Sequence, residues 1–138
     1  MDTMSLESKA EERLAASHLI WLTTVNDDWL PQPSLVWFWW DGVSFVIYSQ
    51  PKTPKIANIA RNPGVTLNLD AMARGEEEVT IINGIAAVDE TLPPAAENPD
   101  YREKYRDLIE NDLGMSIEEF SSSYSVPIRI EPGTVRVW

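Results

Sequence analysis

With 138 residues the chain suits a single domain spanning 1–138, and a chain of this size buries roughly two-thirds of its unfolded surface without staples. The absence of cysteine excludes disulfides, thiolate metal sites and thiol nucleophiles. Acidic residues outnumber basic ones by 22 to 11, and the resulting net charge of −11 repels nucleic acid.

Met1 to Ala16 is charged and lacks the apolar stretch of a signal peptide. No apolar run approaches the ~20 residues that span a bilayer. A cytoplasmic protein with neither membrane nor nucleic-acid partner is therefore expected. A helix is predicted over Ser5 to Ser17, with Leu6, Ala10, Leu14 and Ala15 as its apolar stripe. His18 to Val25 reads as a strand turning at Asn26-Asp27-Asp28, and Gln32 to Trp40 as the next. Asp41-Gly42 then joins it to a strand over Val43 to Ser49, a strong hairpin signal.

Thr53 and Pro54 read as N-cap and first residue of a short helix that places Ile56, Ile59 and Ala60 on one face and stops at Asn62-Pro63-Gly64. Val65 to Asp70 is a strand, Ala71 to Glu77 a polar loop, and Glu78 to Asp89 a long strand with a bulge or bend at Asn83-Gly84. Asn98-Pro99 opens a helix burying Tyr101, Tyr105, Leu108 and Ile109. Ser116 and Glu119 form a capping box for another, ending near Tyr124. Val126 to Ile130 and Thr134 to Trp138 read as two last strands around Pro132-Gly133. Strands with helices inserted between them suggest a small antiparallel barrel.

Much chemistry is missing. His18 is the single histidine, and neither a Gly-x-Ser-x-Gly elbow, a Gly-x-Gly-x-x-Gly turn nor a P-loop occurs. One histidine and no cysteine speak against a transition-metal site. No catalytic acid or base stands out; Glu76-Glu77-Glu78 reads as a solvated loop. Two segments do carry signal. In Trp37-Phe38-Trp39-Trp40, alternate rings point to opposite faces of a strand. One face fills the barrel, and the other covers a subunit interface or a planar ligand, unless it is simply core under a helix. Gly42 to Leu69 holds no acid but contains Lys52, Lys55 and Arg61. Within it, hydroxyls at Ser49 and Thr53, ammonium groups at Lys52 and Lys55, and a helix N-terminus are the parts of a phosphate site. Thr-Pro-x-Lys also serves as an ordinary helix cap.

These residues resemble the pyridoxamine 5′-phosphate oxidase-like superfamily. The likeness lies in Pro31-Gln32-Pro33-Ser34 with Val36-Trp37-Phe38, Ile47-Tyr48-Ser49-Gln50-Pro51, Thr53, Lys55, Asn58-Ile59 and Arg61-Asn62-Pro63. It continues through the Tyr101/Tyr105 helix to Tyr124-Ser125-Val126-Pro127-Ile128-Arg129 and is greatest with the branch described as F420-dependent. The resemblance implies a mainly β, six-stranded antiparallel split barrel of the FMN-binding type. It also implies a homodimer with two cofactors, FMN or coenzyme F420, in clefts between subunits. Pro33, Ser34, Leu35 and Val36 would border the cofactor, the last three offering main-chain groups to its ring. Ser49, Gln50, Thr53 and Lys55 would hold the phosphate, with Lys52 nearby. Leu35 replaces a common proline, and Ala57 and Ala60 stand where the deazaflavin branch often carries arginines, which shifts the balance towards FMN. The implied activity is hydride transfer between the flavin or deazaflavin and a small conjugated substrate. The alternative is a non-catalytic flavin or haem-type carrier or sensor dimer.

Overall fold

The computed structural model describes residues 8–69 and 79–137. In chain order its elements are α1 (Ser8–Ala16), β1 (Leu19–Val25), β2 (Pro31–Trp37), β3 (Trp39–Trp40), β4 (Phe45–Ser49), α2 (Pro54–Arg61), β5 (Gly64–Leu69) and β6 (Thr80–Val88). A 3₁₀ turn (Ala95–Glu97), α3 (Pro99–Asp107) with a π-helical turn (Leu108–Asp112), α4 (Ile117–Ser123) and β7 (Val126–Val137) complete it. Leu6 and the Glu76-Glu77-Glu78 run lie outside the described residues.

All strand pairs are antiparallel, in the order β2-β1-β5-β6-β7-β4-β3. The two ends of this sheet, β2 and β3, are consecutive in the chain and separated only by Phe38. A connection that short forces the sheet to curl until its ends meet, which makes a split barrel.

Among the described residues, seven strands replace the expected six. The strand expected over Gln32 to Trp40 breaks at Phe38, where the chain stops pairing with β1 and starts pairing with β4. The two strands expected around Pro132-Gly133 are instead one, β7. Asn83 pairs with Thr134 and Gly84 with Pro132, so Gly133 is the extra residue of a β-bulge rather than a turn. A Cβ on Gly84 would stand 2.8 Å from the Glu131 carbonyl oxygen, so glycine permits the close approach of the two strands. The Asp41-Gly42 hairpin is longer than a two-residue turn. The Asp41 carboxylate accepts from the Val43 and Ser44 N–H groups, and β4 starts only at Phe45.

Two apolar clusters result. Inside the curl, Leu22, Phe38, Phe45, Leu67, Ile82 and Ile130 pack together, and Leu14 of α1 inserts among them. The second lies between the outer face of β4 and the helices, where Val46 and Tyr48 meet Tyr101, Tyr105, Ile109 and Phe120. Phe38 and Trp40 serve the first cluster and Trp37 and Trp39 the second, so the expected alternation survives the break. Each large side chain buried in this way contributes about 1.5–3 kcal/mol. Helix α3 starts as predicted, with the Asn98 side chain accepting from the Tyr101 N–H, and the Ser116/Glu119 capping box is complete. Ala15 and Ala60, expected on the apolar faces of α1 and α2, are exposed. On α2 the buried polar residue is Asn58, whose amide donates to Thr24 and Gln32 side-chain oxygens at 3.0 and 2.8 Å.

Candidate functional site

Strands β2 and β4 approach each other where the sheet curls but are not paired: β2 pairs with β1, and β4 with β3 and β7. A cleft of about 290 Å³ occupies this split. Leu35, Val36 and Trp37 line it from β2; Ile47, Tyr48 and Ser49 line it from β4. The chain leaving β4 adds Gln50, Thr53 and Lys55, and the helical layer adds Tyr101, Leu113, Phe120 and Tyr124. As an end strand, β2 turns half of its backbone N–H and C=O groups away from the sheet.

One end of the cleft is polar. Ser49 Oγ stands 2.9 Å from the Gln50 carbonyl oxygen and 3.2 Å from Thr53 Oγ1. Thr53 occupies the N-cap position of α2, yet its side chain makes no capping bond, and the first turn carries no acid. Within the helix's own first turn, no acid answers the positive end of the dipole. Lys55 follows in that first turn, half-buried, and burial pushes its ammonium below the usual lysine range. A cation held there against a desolvation penalty is stabilised by an incoming anion.

The other end is aromatic. Trp37 stacks on Tyr105 at 4.6 Å and on Phe120 at 5.4 Å, and Phe120 stacks on Tyr124 at 4.4 Å. Three elements, β2, α3 and α4, therefore contribute to one column of rings. Of the two readings of the second face of the Trp37 strand, a covering helix applies to much of it, since Trp37 and Trp39 pack with Tyr101, Tyr105 and Phe120 of α3 and α4. Trp37 itself nevertheless lines the cleft. Next to the column, Tyr48 donates to the Pro93 carbonyl at 2.7 Å and accepts from the Asn98 amide at 3.2 Å. Tyr101 packs edge-on against it, fully buried, and its hydroxyl has no hydrogen-bond partner. The Gln50 amide donates to Ser123 Oγ at 3.3 Å, which ties the polar end to α4.

Of the residues expected at a cofactor site, Leu35, Val36, Ser49, Gln50, Thr53 and Lys55 come together in this cleft. Pro33, Ser34 and Lys52 do not line it. Pro33 is exposed opposite Thr23, and Ser34 Oγ is turned to the Leu22 carbonyl at 3.5 Å. Lys52 is exposed on the turn with a φ of 67°. Helical spacing alone places Tyr101 in the core and does not mark Phe120 or Tyr124, since nothing in it distinguishes a ring on a cleft wall from one in a core. A cationic, hydroxyl-bearing end joined to an aromatic trough, with one unpartnered buried donor, suits a planar ring that carries a phosphate.

The curled antiparallel sheet and its cleft define a split barrel of the flavin-binding class. A family model described as pyridoxamine 5′-phosphate oxidase matches residues 6–138, and the chain belongs to that family. Among solved structures it is similar to a putative pyridoxamine 5′-phosphate oxidase from Listeria innocua, with 27% identity and a TM-score of 0.67, covering 96% of this chain and 98% of that one. A conserved hypothetical protein from Mycobacterium tuberculosis is similar at 21% identity with a TM-score of 0.76, over 99% of this chain and 86% of that one. An F420 reductase is similar at 23% identity with a TM-score of 0.67, over 91% and 94% respectively. No curated protein matches the sequence. Among the described residues, no helix is long and apolar enough to cross a membrane.

Proposed function

We propose that this protein is an oxidoreductase that binds a phosphate-bearing flavin in the split of its barrel and works as a homodimer. The observation that carries this reading is the continuity of a Ser49/Thr53/Lys55 anion pocket with an aromatic trough walled by Trp37, Phe120 and Tyr124. Lys55 and the α2 N-terminus neutralise a phosphate, and the Ser49 and Thr53 hydroxyls orient it. The rings of the trough form an apolar wall against a planar group and keep water from it, while the outer edge of β2 offers main-chain hydrogen bonds. A bound flavin supplies hydride transfer to a small conjugated substrate. This division of labour accounts for a site without an acid–base pair.

FMN is favoured over the deazaflavin F420. Ala57 and Ala60 on the exposed face of α2 offer no charge to the anionic tail of F420, and the likeness to an F420 reductase is one of fold. A haem bound through histidine would have to use His18, which is exposed and does not line the cleft. The homodimer is supported by Leu19, Leu35 and Ile85, large apolar side chains left exposed on β1, β2 and β6.

The test is the absorbance spectrum and mass of the small molecule that co-purifies with the protein, followed by reduction assays with quinone and nitro acceptors. A flavin spectrum with turnover supports the reading. A flavin that never turns over makes the protein a carrier or sensor, and a colourless protein that takes up neither FMN nor F420 refutes flavin binding.

A further inference from the structure

The phenols of Tyr48, Tyr101 and Tyr105 cluster beneath the aromatic trough, with Tyr101 at 4.8 Å from each of the other two ring centroids. Two of the three hydroxyls are committed to the protein. Tyr48 donates to the Pro93 carbonyl, and Tyr105 engages the backbone of Phe38 and His18. The third, on Tyr101, is buried without a partner, although its ring lines the cleft. The other buried donor left unpaired among the described residues, Trp40 Nε1, belongs to a ring packed at 4.6 Å on Phe45 and plays no part in the cleft.

A phenylalanine at position 101 would fill the same volume and avoid the cost of desolvating a hydroxyl. A tyrosine in this place gains from its hydroxyl only when something in the cleft accepts a hydrogen bond. Burial keeps the phenol protonated far above neutral pH, so it acts as a donor.

We propose that the Tyr101 hydroxyl is the ring-recognition donor of the cleft, donating a hydrogen bond to a carbonyl oxygen or ring nitrogen of the bound planar group. This inference rests on the flavin reading of the site. The contact requires the bound ring to reach a hydroxyl that is buried, and the exposed Leu113 and half-buried Tyr124 line the same cleft. A ring that meets Tyr101 is thereby selected for an acceptor at its inner edge, as isoalloxazines have and purely hydrocarbon aromatics do not.

The experiment titrates FMN and riboflavin, which share one ring and differ in the phosphate, into wild type and Tyr101→Phe by flavin fluorescence. Melting curves are recorded without flavin. Loss of one buried hydrogen bond should weaken both flavins equally, by about 5- to 150-fold, while the flavin-free melting temperature holds or rises. Unchanged affinity for both flavins overturns the proposal, and so does a loss confined to FMN, which would place Tyr101 at the phosphate. A lower melting temperature of flavin-free Tyr101→Phe also overturns it, since the hydroxyl would then serve the fold. Wild type binding neither flavin sinks the flavin reading itself, an outcome distinct from wild-type binding that the substitution leaves intact.

Discussion

The Tyr105 hydroxyl clasps both backbone groups of Phe38. It accepts from the Phe38 N–H at 2.8 Å and lies 2.7 Å from the Phe38 carbonyl oxygen. Phe38 is the residue at which the chain leaves one end of the sheet for the other, so neither group has a strand partner of its own. The same hydroxyl stands 2.7 Å from the His18 carbonyl oxygen, and its single proton serves one carbonyl at a time. Through this clasp α3 fixes where the barrel splits and hence where the cleft opens. Tyr105→Phe should destabilise the protein by about 1–3 kcal/mol, because a buried N–H loses its acceptor. Urea denaturation should show a lower midpoint at unchanged slope. An unchanged midpoint would mean that the break at Phe38 is held by other contacts.

The bulge between β6 and β7 depends on Gly84. A methyl group there would meet the Glu131 carbonyl oxygen at 2.8 Å and Ile130 Cγ2 at 2.9 Å. Gly84→Ala should therefore cost about 1–3 kcal/mol by forcing the strands apart. Gly64→Ala, whose Cβ meets only Asn62 Oδ1 at 3.6 Å, is the control and should be close to neutral. Equal effects in thermal denaturation would contradict the packing argument.

Lys104 donates to the carbonyl oxygens of Leu14 and Phe38 at 3.3 and 3.0 Å, and burial pushes its ammonium down to about 8. Unfolded lysine titrates near 10.4, so between these values the unfolded chain holds the extra proton. Stability should then rise with pH across that window. Lys55, lowered for the same reason, acts with the same sign, while the raised tyrosines oppose it only above about pH 10. Melting temperatures from pH 7.5 to 9.5 should climb less steeply in Lys104→Met than in wild type once the background trend is subtracted. Parallel curves would show that Lys104 titrates as a solvated group.

Sedimentation at micromolar concentration should find a dimer, with the exposed apolar residues Leu19, Leu35 and Ile85 covered. Leu35→Glu should weaken the dimer. A wild-type species near 15.6 kDa only would refute the dimer.

Much of this architecture was legible because its signals are local. The Asn98 and Ser116 caps, the Tyr101/Tyr105/Ile109 stripe and the alternation of Trp37 to Trp40 each depend on neighbours within one or two turns. The errors came from tertiary context. Nothing near Phe38 in the chain announces that Tyr105, far along the sequence, will hold it out of a strand. Pro132-Gly133 reads as a turn until Asn83-Gly84 is placed opposite it. At the site, the Ser49 to Lys55 segment was readable because charge, hydroxyls and a helix start coincide within a few residues. The aromatic wall was not, since Tyr101, Phe120 and Tyr124 reach the cleft only through the packing of α3 and α4.

In the proposed site, an anion pocket built on Lys55 anchors a flavin by its phosphate. A charge-assisted contact of this kind is worth about 1.5–3 kcal/mol. Titration of FMN and riboflavin into wild type and Lys55→Ala tests it most directly. Lys55→Ala should weaken FMN binding by roughly 10- to 150-fold, leave riboflavin binding nearly unchanged, and barely shift the melting curve. An equal loss for both ligands would place Lys55 away from the phosphate, and no loss for either would reduce Thr53-Pro54-Lys55 to an ordinary helix start.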